Sequence, residues 1–258
     1  MKTVCIDIHL NMPSPIPKTK VDEIRDTISN AKLGETFSEF KYARCLRLLS
    51  DIQSFTAQDQ LNMYKSIVEL YMGNCRDAKS LALANLKESE NFQVLRNCAF
   101  IFQQVLALDL VVDTMEKIIE VSTRLNINPK ETLTPGYQLN YFLSGNLKKG
   151  EAYFTSNDLE KVFESFFGIR QTIGISDKAL DEVLQIVHGV TIENNIQSIY
   201  VEYSYVEEEL LITIHVNKSI EEISNLNTMV AKRCYQAGLL DDLNKVSYMI
   251  LPARDAAI

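Results

Sequence analysis

A change in hydrophobic periodicity along the chain constrains its fold more than any other feature. From about residue 19 to residue 125, apolar residues recur every three or four positions, which is the spacing of amphipathic helices. From residue 196 onward, short segments alternate apolar and polar residues, which is typical of strands that are buried on one face. The pattern predicts an α+β protein with helices in its N-terminal part and a sheet in its C-terminal part.

The N-terminal part is predicted to be an array of antiparallel helical hairpins. Short connections near residues 73–74, 88–91 and 107–109 leave successive helices no choice but to pack side by side in opposite directions. In one helix we expect Phe40, Ala43, Leu46 and Leu49, which recur at helical spacing, to form the buried face. The opposite, solvated face of that helix should carry Lys41, Arg44 and Arg47. The next helix has its apolar stripe at Leu61, Tyr64, Val68 and Tyr71.

The C-terminal part is predicted to follow the order βαββαβ. The expected elements are a strand at 169–175, a helix at 176–192, paired strands at 196–205 and 210–216, a helix at 220–237 and a strand at 245–251. This order indicates a ferredoxin-like sandwich, or a related antiparallel sheet, in which two helices cover one face. The first strand patterns poorly, and a separate alternating segment at residues 4–10 is an alternative for its place.

A cluster of Asn, Pro and Gly residues between 126 and 136 predicts a boundary between a mainly helical domain, 1–130, and an acidic α+β domain, 131–258. The charge distribution agrees with two different surfaces. Residues 1–150 carry 18 basic and 17 acidic side chains, a net charge of +1, whereas residues 151–258 carry 8 and 17, a net charge of −9. Nucleic acid is therefore disfavoured as a partner of the C-terminal part, and a basic protein surface is its natural complement.

One helical turn carries a family resemblance. Gly73, followed five residues later by the small Ala78, resembles the turn of a tetratricopeptide repeat, where small residues let two helices approach closely. The resemblance covers residues 57–126 only, and generic helical-hairpin packing is the alternative. A tetratricopeptide array implies a concave protein- or peptide-binding groove and no chemistry.

The best candidate for a chemical site is the open face of the predicted sheet. Alternation places Tyr200 and Glu202 on one strand beside Thr213 and His215 on the next, so an aromatic ring, a carboxylate, a hydroxyl and an imidazole share one surface. Acid–base catalysis requires such groups within reach of one another. An ordinary solvated face, or the interface of a homo-oligomer, explains the same pattern.

No other constellation completes a catalytic or metal site. Asp7 and His9 share one strand face, but two ligands are not a metal site. We expect His188 and His215 to be partly exposed structural residues. The sequence contains no phosphate-binding, hydrolase or zinc-protease motif, so no cofactor and no metal are predicted.

The sequence therefore favours a non-enzymatic protein-binding module, such as an adaptor, a chaperone, an antitoxin or an immunity-type inhibitor. The alternative is a small enzyme that uses Glu202 and His215. Five cysteines without a CxxC pair look like reduced core residues, and no signal peptide or membrane span is evident, so a cytoplasmic location is expected. The candidate steering charges for a basic partner are the following acidic residues: Glu207, Glu208, Glu209, Glu221 and Glu222.

Overall fold

The computed structural model describes residues 19–128, 138–151, 157–206 and 208–253. These residues form helices and three strands, numbered here in chain order. The helices are α1 (Lys20–Ser29), α2 (Glu39–Ile52), α3 (Gln58–Met72), α4 (Cys75–Glu88), α5 (Phe92–Gln104), α6 (Leu108–Arg124), α7 (Gln138–Leu143), α8 (Leu147–Glu151), α9 (Asn157–Ile173), α10 (Asp177–Glu193), α11 (Ile220–Gln236) and α12 (Leu240–Leu243). The strands are β1 (Ser198–Val206), β2 (Glu209–Val216) and β3 (Val246–Pro252). The α+β class, with a helical N-terminal region, is confirmed.

Local capping signals fix several helix ends. The spacing of Ser219 and Glu222 predicts a capping box, and the two residues form it at the start of α11, where each side chain accepts a hydrogen bond from the backbone N–H of the other residue. Thr36 and Thr56 stand three residues before Glu39 and Asp59, a spacing that also predicts capping boxes, but neither box forms. Ser38 caps α2 by accepting a hydrogen bond from the backbone of Lys41, and α3 begins without a side-chain cap. Residues with the right spacing form a capping box only where the helix begins directly after the Ser or Thr.

The first six helices pair as three consecutive hairpins, α1 with α2, α3 with α4, and α5 with α6. Gly73 ends α3 in the left-handed region, with φ of 88°, where a side chain would be strained. Ala78 is completely buried, so its small side chain permits the close packing of α3 against α4. Among the first helices of the hairpins, α3 contacts both α1 and α5, so the three lie on one side of the array.

Helix α2 buries a different face from the one that its sequence predicts. Phe40 is 81% exposed and Leu46 is 42% exposed, so the predicted apolar face is largely in solvent. Of the predicted stripe, Leu49 is buried as expected. The buried face of α2 is formed by Cys45, Leu48, Leu49 and Ile52 and is shifted around the helix axis from the predicted one. The sequence of α2 offers two partly apolar faces, and packing against α1 and α3 decides between them.

The sheet has the order β1–β2–β3. Strands β1 and β2 form the predicted antiparallel hairpin, but β3 pairs with β2 in parallel, so the sheet is mixed. In the predicted ferredoxin-like order, a further strand separates these two parallel strands. That strand is missing from the described sheet, and β2 and β3 therefore bond directly to each other, linked by α11 and α12.

The strand predicted at 169–175 is wrong because α9 is one continuous helix through Ile173. Phe166, Ile169 and Ile173 recur at helical spacing and are all buried, which outweighs the presence of Gly168 inside the helix. The alternative strand at residues 4–10 lies outside the described residues.

The hydrophobic core extends across the domain boundary that was predicted near residue 130. One cluster of buried side chains runs from Ile24 in α1 through Phe102 in α5 and Phe142 in α7 to Val246 in β3. A second cluster joins α10 and α11 to the inner face of the sheet and includes Leu106, which follows α5. Contacts of α4 with α10 and of α5 with β1 therefore tie the helical array to the C-terminal part.

Candidate functional site

The sheet brings together all four residues that the sequence proposes for its open face. In the β1–β2 register, Tyr200 lies opposite His215 and Glu202 lies opposite Thr213. The Tyr200 and His215 rings stack with centroids 4.1 Å apart and planes 17° from parallel. The Oε2 atom of Glu202 lies 3.2 Å from Nε2 of His215, a diagonal contact across the two strands. The side chains proposed for the open face therefore lie together in the structure.

The orientation of the His215 ring limits what this cluster can do. The side chain is only 5% exposed, against 64% for Glu202. Its Nδ1 atom lies 3.4 Å from the Pro252 carbonyl, and the Glu202 carboxylate stands beside Nε2 out of line for a hydrogen bond. Both ring nitrogens therefore face acceptors of the protein. A histidine that accepts a proton from a substrate needs a nitrogen lone pair directed outward, which is not the geometry here.

The histidines are more buried than the sequence suggests. His188 is 7% exposed and His215 is 4% exposed, so the expectation of partly exposed side chains is wrong for both. Each is covered by packing that the strand and helix patterns do not reveal, His215 by Tyr200 and His188 by the contact of α4 with α10. Asp7 and His9 lie outside the described residues.

The proposed steering carboxylates differ in their local roles. Glu208 and Glu209 are exposed at the turn between β1 and β2, and Glu221 is exposed in the first turn of α11. The Glu222 carboxylate accepts hydrogen bonds from the backbone and the hydroxyl of Ser219, which lower its pKa, and Lys218 lies 3.4 Å away. Glu222 is thus occupied in capping α11. Glu207 lies outside the described residues.

A groove on the helical array is a second candidate, which the residue patterns do not single out. It has a volume of about 770 Å³ and lies where one face of each of α1, α3 and α5 converges. Pockets that bind ligands typically measure roughly 300–1,000 Å³. The groove is lined by the following residues: Val21, Arg25, Ile28, Ser29, Gln60, Met63, Tyr64, Ile67, Asn91, Gln93, Val94, Arg96 and Asn97.

The groove combines an apolar floor with a polar rim. Met63, Tyr64 and Ile67 of α3 are almost completely buried. Around them, Arg25 and Arg96 are exposed, and the rim also carries primary amides such as that of Gln93. Side chains of this kind offer hydrogen bonds in both directions around a hydrophobic base, which is the usual composition of a ligand site.

The spacing within each helix was visible in the sequence, but the groove was not. Arg25 lies four residues after Val21, and Gln93 lies four residues before Asn97, so each pair shares one helix face. Nothing in these local spacings states that α1, α3 and α5 meet. The tetratricopeptide resemblance implied a concave groove without indicating which residues line it.

Together these features define an α+β protein in which helical hairpins form a groove with a polar rim, and a mixed sheet carries Tyr200, Glu202, Thr213 and His215 on two adjacent strands. Comparison with protein-family models, curated proteins and solved structures found no match. In the part of the chain that the structure describes, no helix is long and apolar enough to cross a membrane. Within the same residues, no three His, Cys, Asp or Glu side chains come together in a way that could hold a metal ion.

Proposed function

We propose that this protein is a non-enzymatic protein-binding module that holds an extended polypeptide segment in the groove between α1, α3 and α5. The observation that carries this proposal is the convergence of three helix faces on one groove with a buried apolar floor. Four buried, unpaired cysteines, at positions 45, 75, 98 and 234, are in keeping with a cytoplasmic location. Whether binding serves an adaptor, a chaperone, an antitoxin or an immunity-type inhibitor depends on the partner.

The chemistry of the groove suits an extended segment. The backbone of such a segment presents unpaired N–H and C=O groups, and a side-chain amide can accept from the first and donate to the second. The buried floor would receive an apolar side chain of the segment, while Arg25 and Arg96 would bind carbonyl or carboxylate oxygens. Arg25 contacts Asp22 at 3.4 Å, but both side chains are largely exposed, so this ion pair is easily exchanged.

Binding in the groove can be tested with peptides that are selected against this protein from a displayed random library. Arg96→Glu is expected to weaken the binding of the selected peptides at least about tenfold, because arginine is frequently a dominant contributor to binding at interfaces. The matched control is Arg47→Glu, which makes the same charge change on an exposed arginine of α2 outside the groove. Affinities would be measured by isothermal titration calorimetry. Equal losses in both variants would contradict binding in the groove.

The acidic residues near β2 and α11 offer a different mode of binding, to a basic partner. Under that mode, Glu208→Gln with Glu209→Gln would slow association several-fold at low salt and little at high salt, because screening removes long-range attraction beyond about 8 Å. Measuring affinity by calorimetry and association rate by kinetics for both sets of variants therefore distinguishes binding in the groove from binding at the acidic surface. If only this double variant loses affinity, the acidic surface binds the partner and the groove does not.

A small enzyme remains the second candidate because Glu202 and His215 do lie together, 3.2 Å apart. Its test is a thermal-shift screen against divalent metals, nucleotides and small metabolites, since a ligand of the folded state must raise the melting temperature. A ligand of this site should lose its effect in Glu202→Gln and keep it in Arg96→Glu. We predict that no compound in this screen shows that pattern, and one that does would overturn the non-enzymatic proposal.

A further inference from the structure

A pair of ionisable side chains lies away from both surfaces, where α4 packs against α10. The amine Nζ of Lys79 is 2.6 Å from Nε2 of His188. Lys79 is half-buried and His188 is buried. Neither residue belongs to the groove or to the open face of the sheet. Neither candidate site therefore accounts for their close contact.

The surroundings define the protonation state of the His188 ring. Its Nδ1 atom is 2.8 Å from the carbonyl oxygen of Val105, which can only accept a hydrogen bond. Nδ1 therefore carries the ring proton, and Nε2 presents a lone pair to Lys79. The Val105 carbonyl is itself held in place, since Val105 is completely buried and Leu106 after it has a φ of 60°. The result is a fixed chain from amine to imidazole to carbonyl.

The charges around the pair come from α4 and α10 themselves and from two further elements, α6 and α11. Asp109, in the first turn of α6, acts on both Lys79 and His188. Arg76 of α4 donates to the Glu193 carbonyl of α10 at 3.5 Å, and Arg233 of α11 binds the Glu193 carboxylate. Burial lowers the pKa of the Lys79 amine against the opposing effect of Asp109. Burial and the nearby Lys79 lower the pKa of His188.

We propose that Lys79 is a carbon dioxide acceptor whose neutral amine forms a carbamate while His188 takes the released proton. The nitrogen lone pair forms the new N–C bond, and one C=O electron pair of carbon dioxide moves to oxygen. An N–H bond of the amine breaks, and its proton passes to Nε2 of His188. The products are a carbamate anion and an imidazolium cation, so the net charge of the pair does not change.

The half-buried position of the Lys79 amine beside His188 favours carbon dioxide over larger electrophiles. The molecule is small and uncharged, and so it can reach a half-buried amine. A neutral amine is the reactive form, and lowering the pKa of an amine by one raises the neutral fraction about tenfold at neutral pH. The new ion pair forms at hydrogen-bonding distance, where Coulomb attraction is strongest. The Asp109 charge opposes the carbamate but stabilises the imidazolium beside it.

The test traps carbamates on the intact protein. The protein is equilibrated at pH 7.5 with ¹³C-labelled bicarbonate and carbon dioxide, alkylated with a trialkyloxonium reagent, and mapped by mass spectrometry. The matched reference is Lys178, an 84% exposed lysine on α10. We expect several-fold more trapped label on Lys79 than on Lys178, because burial lowers the pKa of the Lys79 amine and so raises its reactive neutral fraction. We also expect a ¹³C NMR carbamate signal that is absent from Lys79→Arg.

The role of His188 is tested by His188→Gln, whose amide can still donate to Val105 and accept from Lys79 but cannot take up a proton. We expect the label on Lys79 to fall several-fold in this variant, with circular dichroism confirming that it is folded. Equal labelling of Lys79 and Lys178 in the native protein would overturn the proposal, and this comparison suffices alone if the variant does not fold. Unchanged labelling of Lys79 in a folded His188→Gln protein would also overturn it.

Discussion

Replacing Gly145 by alanine is expected to lower the free energy of unfolding by about 3 kcal/mol, because the new Cβ meets the backbone in a strained position. Gly145 lies between α7 and α8 with φ of 69°. A Cβ atom there would stand 2.5 Å from the carbonyl oxygen of Asp177, the first residue of α10. A backbone carbonyl cannot swing aside as a side chain can, so one of the two segments would have to move.

The matched control for this prediction is Gly238→Ala. Gly238 has a similar φ of 74°, but a Cβ there meets nothing within 4 Å. In this variant the free energy of unfolding should fall by only about 1 kcal/mol, because alanine adopts a positive φ less readily than glycine does. Urea denaturation followed by circular dichroism measures both variants. Equal losses would show that the close approach of the α7–α8 turn to α10 is not maintained in solution.

Stability is expected to fall as the pH drops below about 6.5, at up to about 1.4 kcal/mol per pH unit, because of His188. The pKa of His188 in the folded protein lies below its usual value of 6.5, since burial and Lys79 both disfavour the imidazolium. On acidification the unfolded chain therefore takes up a proton first. The contribution of neutral His188 is complete above pH 6.5 and is lost as the pH falls toward its folded pKa.

Urea midpoints at pH 7.5, 6.5 and 5.5 measure this effect, with His188→Gln as the control. The variant should show a flatter pH dependence in this window. The lowered pKa values of Glu35, Glu193 and Glu222 act at lower pH, because these carboxyls bind protons only below about 4.5. A native protein as insensitive to pH as the variant would mean that His188 is not held buried beside Lys79 in solution.

Features that depend on a few neighbouring residues were predictable from the sequence. The capping box of Ser219 with Glu222 and the left-handed Gly238 mark both ends of α11. The turn at Gly73 and the alternation along β1 and β2 are of the same kind. In each case the stabilising hydrogen bonds, or the period of the side chains, lie within the segment itself. The open-face cluster of Glu202 and His215 followed from that period alone.

Only the tertiary structure decided which faces meet. The α2 sequence allows two partly apolar faces, and α9 has a weak strand pattern beside a helical stripe ending at Ile173, so packing against neighbours selects the outcome. The groove of α1, α3 and α5 and the contact of Lys79 with His188 join residues far apart in the chain. Hydrophobic burial stabilises any apolar contact without specifying the partner. Local patterns therefore determined most helices and strands, whereas packing determined the ambiguous segment that ends α9 and the surfaces that the elements build together.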